Sequence, residues 1–220
     1  MNYLKSILIA LIFSFTIGTV SSQHLDFQFG AGVGSSYLIE VWKGGTNMNY
    51  YASQSYSAAL RLTPDSSYFN LKILFQHVST NFTESSINFN RYGEITSFTS
   101  FIIAEHLNTN KKFNLGYDFG GGYSVENINY DGGGLISGDE TRKFVSIRIG
   151  MLASLRTGNR SRLSLEPSLF WTDIANSFVQ RNWKAAAEDA SFLVNLTYTY
   201  RLTTVFKPLV ENRRKNHTTN

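Results

Sequence analysis

The chain has 220 residues, a formal net charge of +4 at pH 7 and no cysteine. The lack of cysteine excludes disulfides, thiolate metal sites and lipid attachment at a cysteine. The positive charge lies at the two ends, because Thr203–Asn220 contains four basic residues against one acidic residue and Lys5 adds one more. The region between is close to neutral, so the charge gives no reason to expect a nucleic-acid partner.

The first 22 residues, Met1–Ser22, have the pattern of a secretory signal peptide. Lys5 supplies the charged start, Ser6–Gly18 supplies the apolar core, and the small residues before Gln23 suit cleavage at that point. A membrane-anchoring helix is the alternative, but the apolar run is too short to span a bilayer. We therefore predict that the chain is exported and that residues 1–22 are removed.

Eight segments follow in which large apolar or aromatic residues alternate with polar or small ones. In chain order they are Leu25–Tyr37, Tyr56–Leu62, Phe69–His77, Glu94–His106, Phe113–Val125, Val145–Leu155, Arg162–Trp171 and Ser191–Leu202. Side chains along a strand point alternately to opposite faces, so each segment has one apolar and one polar face. We predict an all-β fold, an eight-stranded antiparallel up-and-down transmembrane β-barrel over residues 23–202.

Two of the segments depart from a regular pattern. In the fourth, Phe101 and Ile103 share one parity while Phe98 and Ile102 share the other. Either a β-bulge or an apolar layer inside the barrel would explain this. In the seventh, Pro167 cannot donate to a strand ladder, so we expect a locally unpaired position or a bulge there.

The connections between segments alternate in length. Those near Pro64, near Asn110 and at Gly158 are short and polar. The others are long: Val41–Ser55, Ser79–Tyr92, Asn127–Arg142 and Thr172–Asp189. Short turns at one end and long loops at the other are typical of an outer-membrane barrel with both termini in the periplasm. Charged residues on the polar face of mid-strand positions also favour a polar lumen and an apolar, lipid-facing exterior.

With these features the chain resembles the porin-like outer-membrane β-barrel family common in Bacteroidetes, whose members are similar to small barrels of the OmpA and OmpX type. The resemblance rests on the leader, the glycine-alternating first strand, Leu165-Glu166-Pro167 and Tyr198-Thr199-Tyr200-Arg201-Leu202. Most members have no assigned catalysis, so the resemblance implies an outer-membrane location, a barrel fold and little chemistry, with recognition of the last strand by the barrel assembly machinery. Family members usually end at that strand, whereas Thr203–Asn220 follows here, and we expect it to be a basic, disordered periplasmic tail.

The candidate site is a polar cluster inside the barrel. It consists of the charged residues of inward parity, which are Arg61, Lys72, Asp118, Arg148, Glu166 and Arg201. A charge in a narrow lumen is poorly hydrated and needs a partner. Strand order places Glu166 between Arg148 and Arg201, so we expect Glu166 to be the hub of a structural cluster.

No catalytic, cofactor-binding or metal site is predicted, because the four histidines are scattered without the spacing of metal ligands. The function that the sequence favours is a structural, adhesive or interaction role through long extracellular loops. Outer-membrane lipid, the assembly machinery and an extracellular partner are the expected contacts. The alternatives are a narrow pore or transporter of small or hydrophobic solutes, and a soluble, secreted, lipocalin-like ligand-binding barrel.

Overall fold

The computed structural model describes residues 23–39, 48–64, 69–85, 90–108, 111–131, 137–171 and 190–206. The predicted signal peptide and the tail beyond residue 206 lie outside this range. Eight strands are present: β1 (Gln23–Ile39), β2 (Met48–Pro64), β3 (Phe69–Ser85), β4 (Asn90–His106), β5 (Phe113–Asp131), β6 (Ser137–Arg156), β7 (Ser161–Trp171) and β8 (Ala190–Phe206). Among the described residues, no helix is long and apolar enough to cross a membrane.

The strands form a closed barrel in which each pairs antiparallel with its neighbours in the sequence. Closure comes from β1 and β8, whose register places Asp26 beside Arg201 and Gly32 beside Asn195. The predicted eight-stranded antiparallel up-and-down barrel is therefore confirmed. The last strand continues to Phe206, four residues beyond the predicted end at Leu202, because Thr203 and Thr204 still pair with β1.

Alternation along the strands separates an apolar exterior from a mainly polar interior. On β5, for example, Phe119 is 55% exposed on the outside, whereas its neighbour Asp118 is 1% exposed and points inward. The exposed aromatic and aliphatic side chains recur on all eight strands, while buried Ser, Thr, Asn, Gln and charged residues fill the other face. This is the reverse of a soluble barrel, in which the apolar side chains face inward.

The irregular pattern of β4 is explained by an apolar layer inside the barrel. The registers of β4 with β3 and with β5 run without a shift, so there is no bulge. Phe101 and Ile103 are fully buried, whereas Phe98 and Ile102 are exposed on the outer face. The buried apolar cluster consists of Ala59, Leu74, Val78, Phe101, Ile103, Phe170 and Leu193.

Pro167 lies at a locally unpaired position rather than at a bulge. The register of β6 with β7 passes from Gly150–Ser168 to Ala153–Leu165 without a shift, and Pro167 has no partner on β6. On its other side it is paired with Val194 of β8. The missing backbone N–H thus interrupts the ladder on one side only.

The prediction of four long loops was only partly right. Residues 65–68, 107–112 and 157–160 connect strands at one end of the barrel, which we call the turn end. At the opposite end, the far end, the strands continue through most of three predicted loops and leave only residues 40–47, 86–89 and 132–136 between them. Residues 172–189 remain as one long connection. The outward residues of the described extensions, such as Asn81 and Thr83 on β3 and Asn127 and Asn129 on β5, are polar, so the hydrophobic alternation that marks a strand fades while the backbone ladder continues.

Candidate functional site

Six consecutive strands, β2 to β7, each contribute one charged side chain to a buried group in the lumen, which we call the central cluster. Its members are Arg61, Lys72, Glu105, Asp118, Arg148 and Glu166, and all are 2% exposed or less. Three are cations and three are carboxylates, so the cluster is neutral as a whole. Each residue occupies an inward position of its strand, which is why alternation along the sequence brings them together.

Lys72 is the cation at the centre of this cluster. Its Nζ atom lies 3.1 Å from Oε2 of Glu105, 3.3 Å from Oδ2 of Asp118 and 3.5 Å from Oε2 of Glu166. The three carboxylates come from β4, β5 and β7, and β6 lies between the last two. A buried ammonium group is stable only with such compensation, because the cost of removing it from water is several kcal/mol.

Two arginines complete the charge balance. Nη2 of Arg61 lies 2.8 Å from Oε2 of Glu105. Nη2 of Arg148 lies 3.4 Å from Oε2 of Glu166 and 3.5 Å from Oδ2 of Asp118, while its Nη1 donates to Oε1 of Gln76 at 3.1 Å. Every carboxylate of the cluster therefore faces two cations, and every cation faces at least one carboxylate.

Glu166 has both of its carboxylate oxygens engaged. Oε1 accepts hydrogen bonds from Nε2 of Gln28 and, at 2.8 Å, from Oγ1 of Thr197. Oε2 faces Lys72 and Arg148. The side chain thereby joins β1, β3, β6 and β8 across the lumen from its position on β7.

The structure places five of the six sequence-predicted residues in the central cluster, and Arg201 elsewhere. Arg201 is nearer the turn end, where its side chain is 28% exposed and its Nε atom lies 3.6 Å from Oδ1 of Asp26. The expected pair of Glu166 with Arg201 is thus wrong. The register of β7 with β8 sets Glu166 opposite Asn195, six residues away from Arg201.

Sequence reasoning missed Glu105, the sixth member of the cluster. It lies in the segment whose inward face also carries Phe101 and Ile103. Because apolar residues occupied both parities there, the polar face could not be recognised. In the structure, β3 and β4 pair without a shift and set Glu105 opposite Asn70. Both side chains are buried, so Glu105 points inward like Asn70.

Glycine makes room for the cluster at one inward position. Gly150 of β6 pairs with Asp118 of β5. A Cβ atom at Gly150 would lie 3.1 Å from Cγ of Asp118 and closer still to its Oδ1. The Asp118 carboxylate therefore occupies the space that any larger residue at position 150 would need.

Two further layers fill the lumen between the central cluster and the far end. The first is the buried apolar cluster, in which the rings of Phe101 and Phe170 meet edge to face with centroids 5.4 Å apart. The second is a group of buried hydroxyls, where Ser36 lies 2.7 Å from Ser191 and Ser53 lies 2.8 Å from Thr80. Side chains thus fill the interior, as expected for a barrel of eight strands.

The described residues contain no group of three or more His, Asp or Glu side chains arranged to hold a metal ion. The histidine on β4, His106, stacks on Tyr117 with ring centroids 4.9 Å apart. It lies on the outward parity of its strand. His217 lies outside the described residues. The arrangement of the cluster is that of a neutral, closed ion-pair network.

No protein-family model matches the chain, and no curated protein matches it. Solved structures with a similar fold include Ail, the attachment invasion locus protein of Yersinia pestis, at 10% identity, covering 83% of this chain and 99% of that one with a TM-score of 0.48. Neisserial surface protein A is similar at 10% identity, with 81% and 97% covered and a TM-score of 0.46. The outer membrane protease OmpT from Escherichia coli is similar at 11% identity, with 84% and 98% covered and a TM-score of 0.40.

At these identities the similarity concerns the fold alone. The barrel assignment rests on the closed strand pairing of this chain itself.

Proposed function

We propose that the chain is an outer-membrane β-barrel without catalytic activity, which acts through the surface at its far end. The observation that carries the proposal is the reversed polarity of the wall. Side chains such as Phe29, Phe119 and Phe192 are more than half exposed on the outside, while a six-residue ion-pair cluster is buried inside. In water, so large a continuous apolar surface would drive aggregation, whereas lipid requires it.

The height of the apolar band fits a membrane. On β5 the outward residues from Phe113 to Val125 are apolar, aromatic or glycine. Thirteen residues tilted by about 45° span roughly 28 Å, close to the band of about 25 Å on known membrane barrels. Beyond Val125 the outward residues are the exposed Asn127 and Asn129, so the wall turns polar where it would leave the bilayer.

The strand extensions at the far end support a role in interaction. Outward side chains there are polar and exposed on more than one strand, as at Asn81 and Thr83 on β3 and Thr141 and Lys143 on β6. A polar wall standing above the membrane, together with the connections between its strands, offers a rigid contact surface. We propose an extracellular partner for this surface, with lipid and the barrel assembly machinery as the other partners, and a Bacteroidetes-type family origin.

The filled interior disfavours the two alternative functions. A pore would need a continuous hydrated path, but the central cluster, the buried apolar cluster and the hydroxyls succeed one another along the lumen. A lipocalin-like protein would need an apolar interior with space for a ligand. Here the described interior carries ion pairs, its buried apolar side chains pack against one another, as Phe101 and Phe170 do, and the wall exposes its other large apolar side chains on the outside.

Two substitutions on the same face of β5 test the membrane location. Phe119→Arg places a charge in the middle of the apolar band and should reduce the free energy of unfolding in lipid vesicles by about 3 kcal/mol. Asn129→Arg is the matched control beyond the band and should change it by less than about 0.5 kcal/mol. Equal effects of the two substitutions, or release of the wild-type protein from envelope membranes by carbonate, would overturn the proposal. Sustained conductance steps in planar bilayers would instead favour the pore.

A further inference from the structure

A second polar site lies at the turn end of the barrel and shares Arg61 with the central cluster. It is a cavity of about 40 Å³ beside the β6–β7 turn. Its charged lining residues are Asp26, Arg61, Arg156, Arg160, Arg162 and Arg201. Five guanidinium groups thus surround one space, and Asp26 is the single carboxylate among its described lining residues. Because Arg61 is already paired with Glu105, the other four arginines leave an excess of three positive charges.

The lining changes from exposed at the rim to fully buried at the floor. Arg156 and Arg160 are exposed, Arg201 is 28% exposed, and Arg61 at the floor is completely buried. A small solute could therefore enter from the turn end and reach a region where electrostatic attraction is strengthened by the low dielectric of the interior.

Several of the arginines are held in place by bonds to the barrel itself. Arg162 donates from Nη1 to Oγ of Ser154 at 2.9 Å and from Nη2 to the carbonyl oxygen of Lys111 at 3.1 Å. Arg156 donates from Nε to the carbonyl oxygen of Gly158 at 3.1 Å. Carbonyl and hydroxyl acceptors thus help to orient both guanidinium groups.

Arg61 provides the independent sign of a ligand site. Its Nη2 atom is bound to Glu105 of the central cluster. Its Nε and Nη1 atoms are buried and have no hydrogen-bond partner among the described residues, although the residue lines the cavity. A buried guanidinium N–H without an acceptor is unfavourable, and an oxygen-rich anion in the cavity would accept from it.

We propose that this cavity, which we call the arginine pocket, binds a phosphate group. Planar guanidinium groups present paired N–H donors that match the oxygens of a phosphate. A volume of about 40 Å³ holds roughly three water molecules at 10–15 Å³ each, which corresponds to a small tetrahedral oxyanion. A phosphate with up to two negative charges balances the excess of arginine better than a carboxylate with one. The phosphate is either a free ion or the headgroup of a lipid in the adjoining leaflet.

The test is calorimetric titration of the full-length protein with inorganic phosphate, in a phosphate-free maltoside detergent at low ionic strength. Wild-type protein should bind one phosphate per chain. Arg160→Gln removes a rim cation whose side chain makes no ion pair within the described part of the chain, and it should weaken binding about tenfold. Asp26→Asn removes the single carboxylate among the described lining residues and should strengthen binding at least threefold. Lys112→Gln removes an exposed cation at the same end that does not line the pocket, and it should change the affinity less than twofold.

Each variant is first checked for the heat-dependent gel shift of a folded barrel, so that loss of binding cannot be confused with loss of folding. If Asp26→Asn does not fold, the comparison of Arg160→Gln with Lys112→Gln decides alone. Addition of phosphatidic acid to the micelles distinguishes the two sources. Competition with inorganic phosphate assigns the site to a lipid headgroup, and unchanged phosphate binding assigns it to the free ion. Absence of saturable binding by both probes, or equal weakening by Arg160→Gln and Lys112→Gln, would overturn the proposal.

Discussion

Removal of one carboxylate from the central cluster should destabilise the barrel more than removal of a larger apolar side chain from its exterior. Glu166→Ala leaves three cations against two carboxylates in a region that is 2% exposed or less. It also leaves the donors of Gln28 and Thr197 without their acceptor. Breaking a buried ion pair from one side costs about 3–5 kcal/mol, so we expect a loss of about 3 kcal/mol in the free energy of unfolding.

Leu165→Ala is the matched control, because Leu165 precedes Glu166 on β7 and points outward with 47% of its surface exposed. Lipid can fill the space that the truncated side chain leaves, so the expected cost is about 1 kcal/mol. Both variants are measured by urea unfolding in lipid vesicles, followed by tryptophan fluorescence. A neutral Glu166→Ala together with a severe Leu165→Ala would mean that the two faces of the barrel have been assigned the wrong way round.

A second substitution separates the charge imbalance from the loss of packing. Adding Lys72→Met to Glu166→Ala leaves two cations and two carboxylates. Arg61 keeps Glu105 at 2.8 Å, and Arg148 keeps Asp118 at 3.5 Å. The double variant should therefore be more stable than the sum of the two single effects predicts, by about 1–2 kcal/mol. Strict additivity would show that the ion pairs do not act as one network.

Two other predictions concern the fit of the lumen and the end of the chain. Gly150→Val should cost about 2 kcal/mol in the same unfolding assay, because the new side chain collides with Asp118. Gly121→Val is the control and should be tolerated, since its Cβ would lie 3.9 Å from the nearest atom, the backbone oxygen of Ser146. Similar costs for the two variants would refute the crowding argument. Truncation after Phe206 should leave the heat-dependent gel shift of the folded barrel intact. Truncation after Leu202 removes β8 residues that pair with β1 and should reduce the folded fraction. Equal loss of assembly in both truncated proteins would mean that residues 207–220 carry an assembly signal.

The sequence predicted the direction of side chains well and their partners poorly. Side chains alternate between the two faces of a strand, and on these strands one face carries the apolar residues of the exterior. The polar face therefore points into the lumen, which correctly placed Lys72, Asp118, Arg148 and Glu166 inside. The partner of Arg201 depended on the register between β8 and its two neighbours, which the closure of the barrel determines. No local pattern near residue 201 contains that information, since a strand can slide by two residues without changing its faces.

The lengths of the strands were underestimated for a related reason. Hydrophobic alternation marks a strand only where one of its faces is apolar. Beyond the band the outward residues of β5 are the polar, exposed Asn127 and Asn129, and the inward Glu126 is also polar, yet the ladder with β6 continues to Asp131 and Ser137. Backbone hydrogen bonding therefore extends the barrel past the point where the sequence pattern ends.

The buried apolar cluster bears on permeation independently of the ion pairs. If the carboxylates and cations of the central cluster exchanged partners, the charged layer could in principle open. An ion that passed it would then meet Phe101, Phe170 and Leu193, which are at most 1% exposed and offer no polar atom to replace its water. The rings of Phe101 and Phe170 pack edge to face, so moving them apart would leave a cavity inside the barrel. Opening the lumen would require both layers to rearrange, and because one is held by charge and the other by packing, no single electrostatic trigger acts on both.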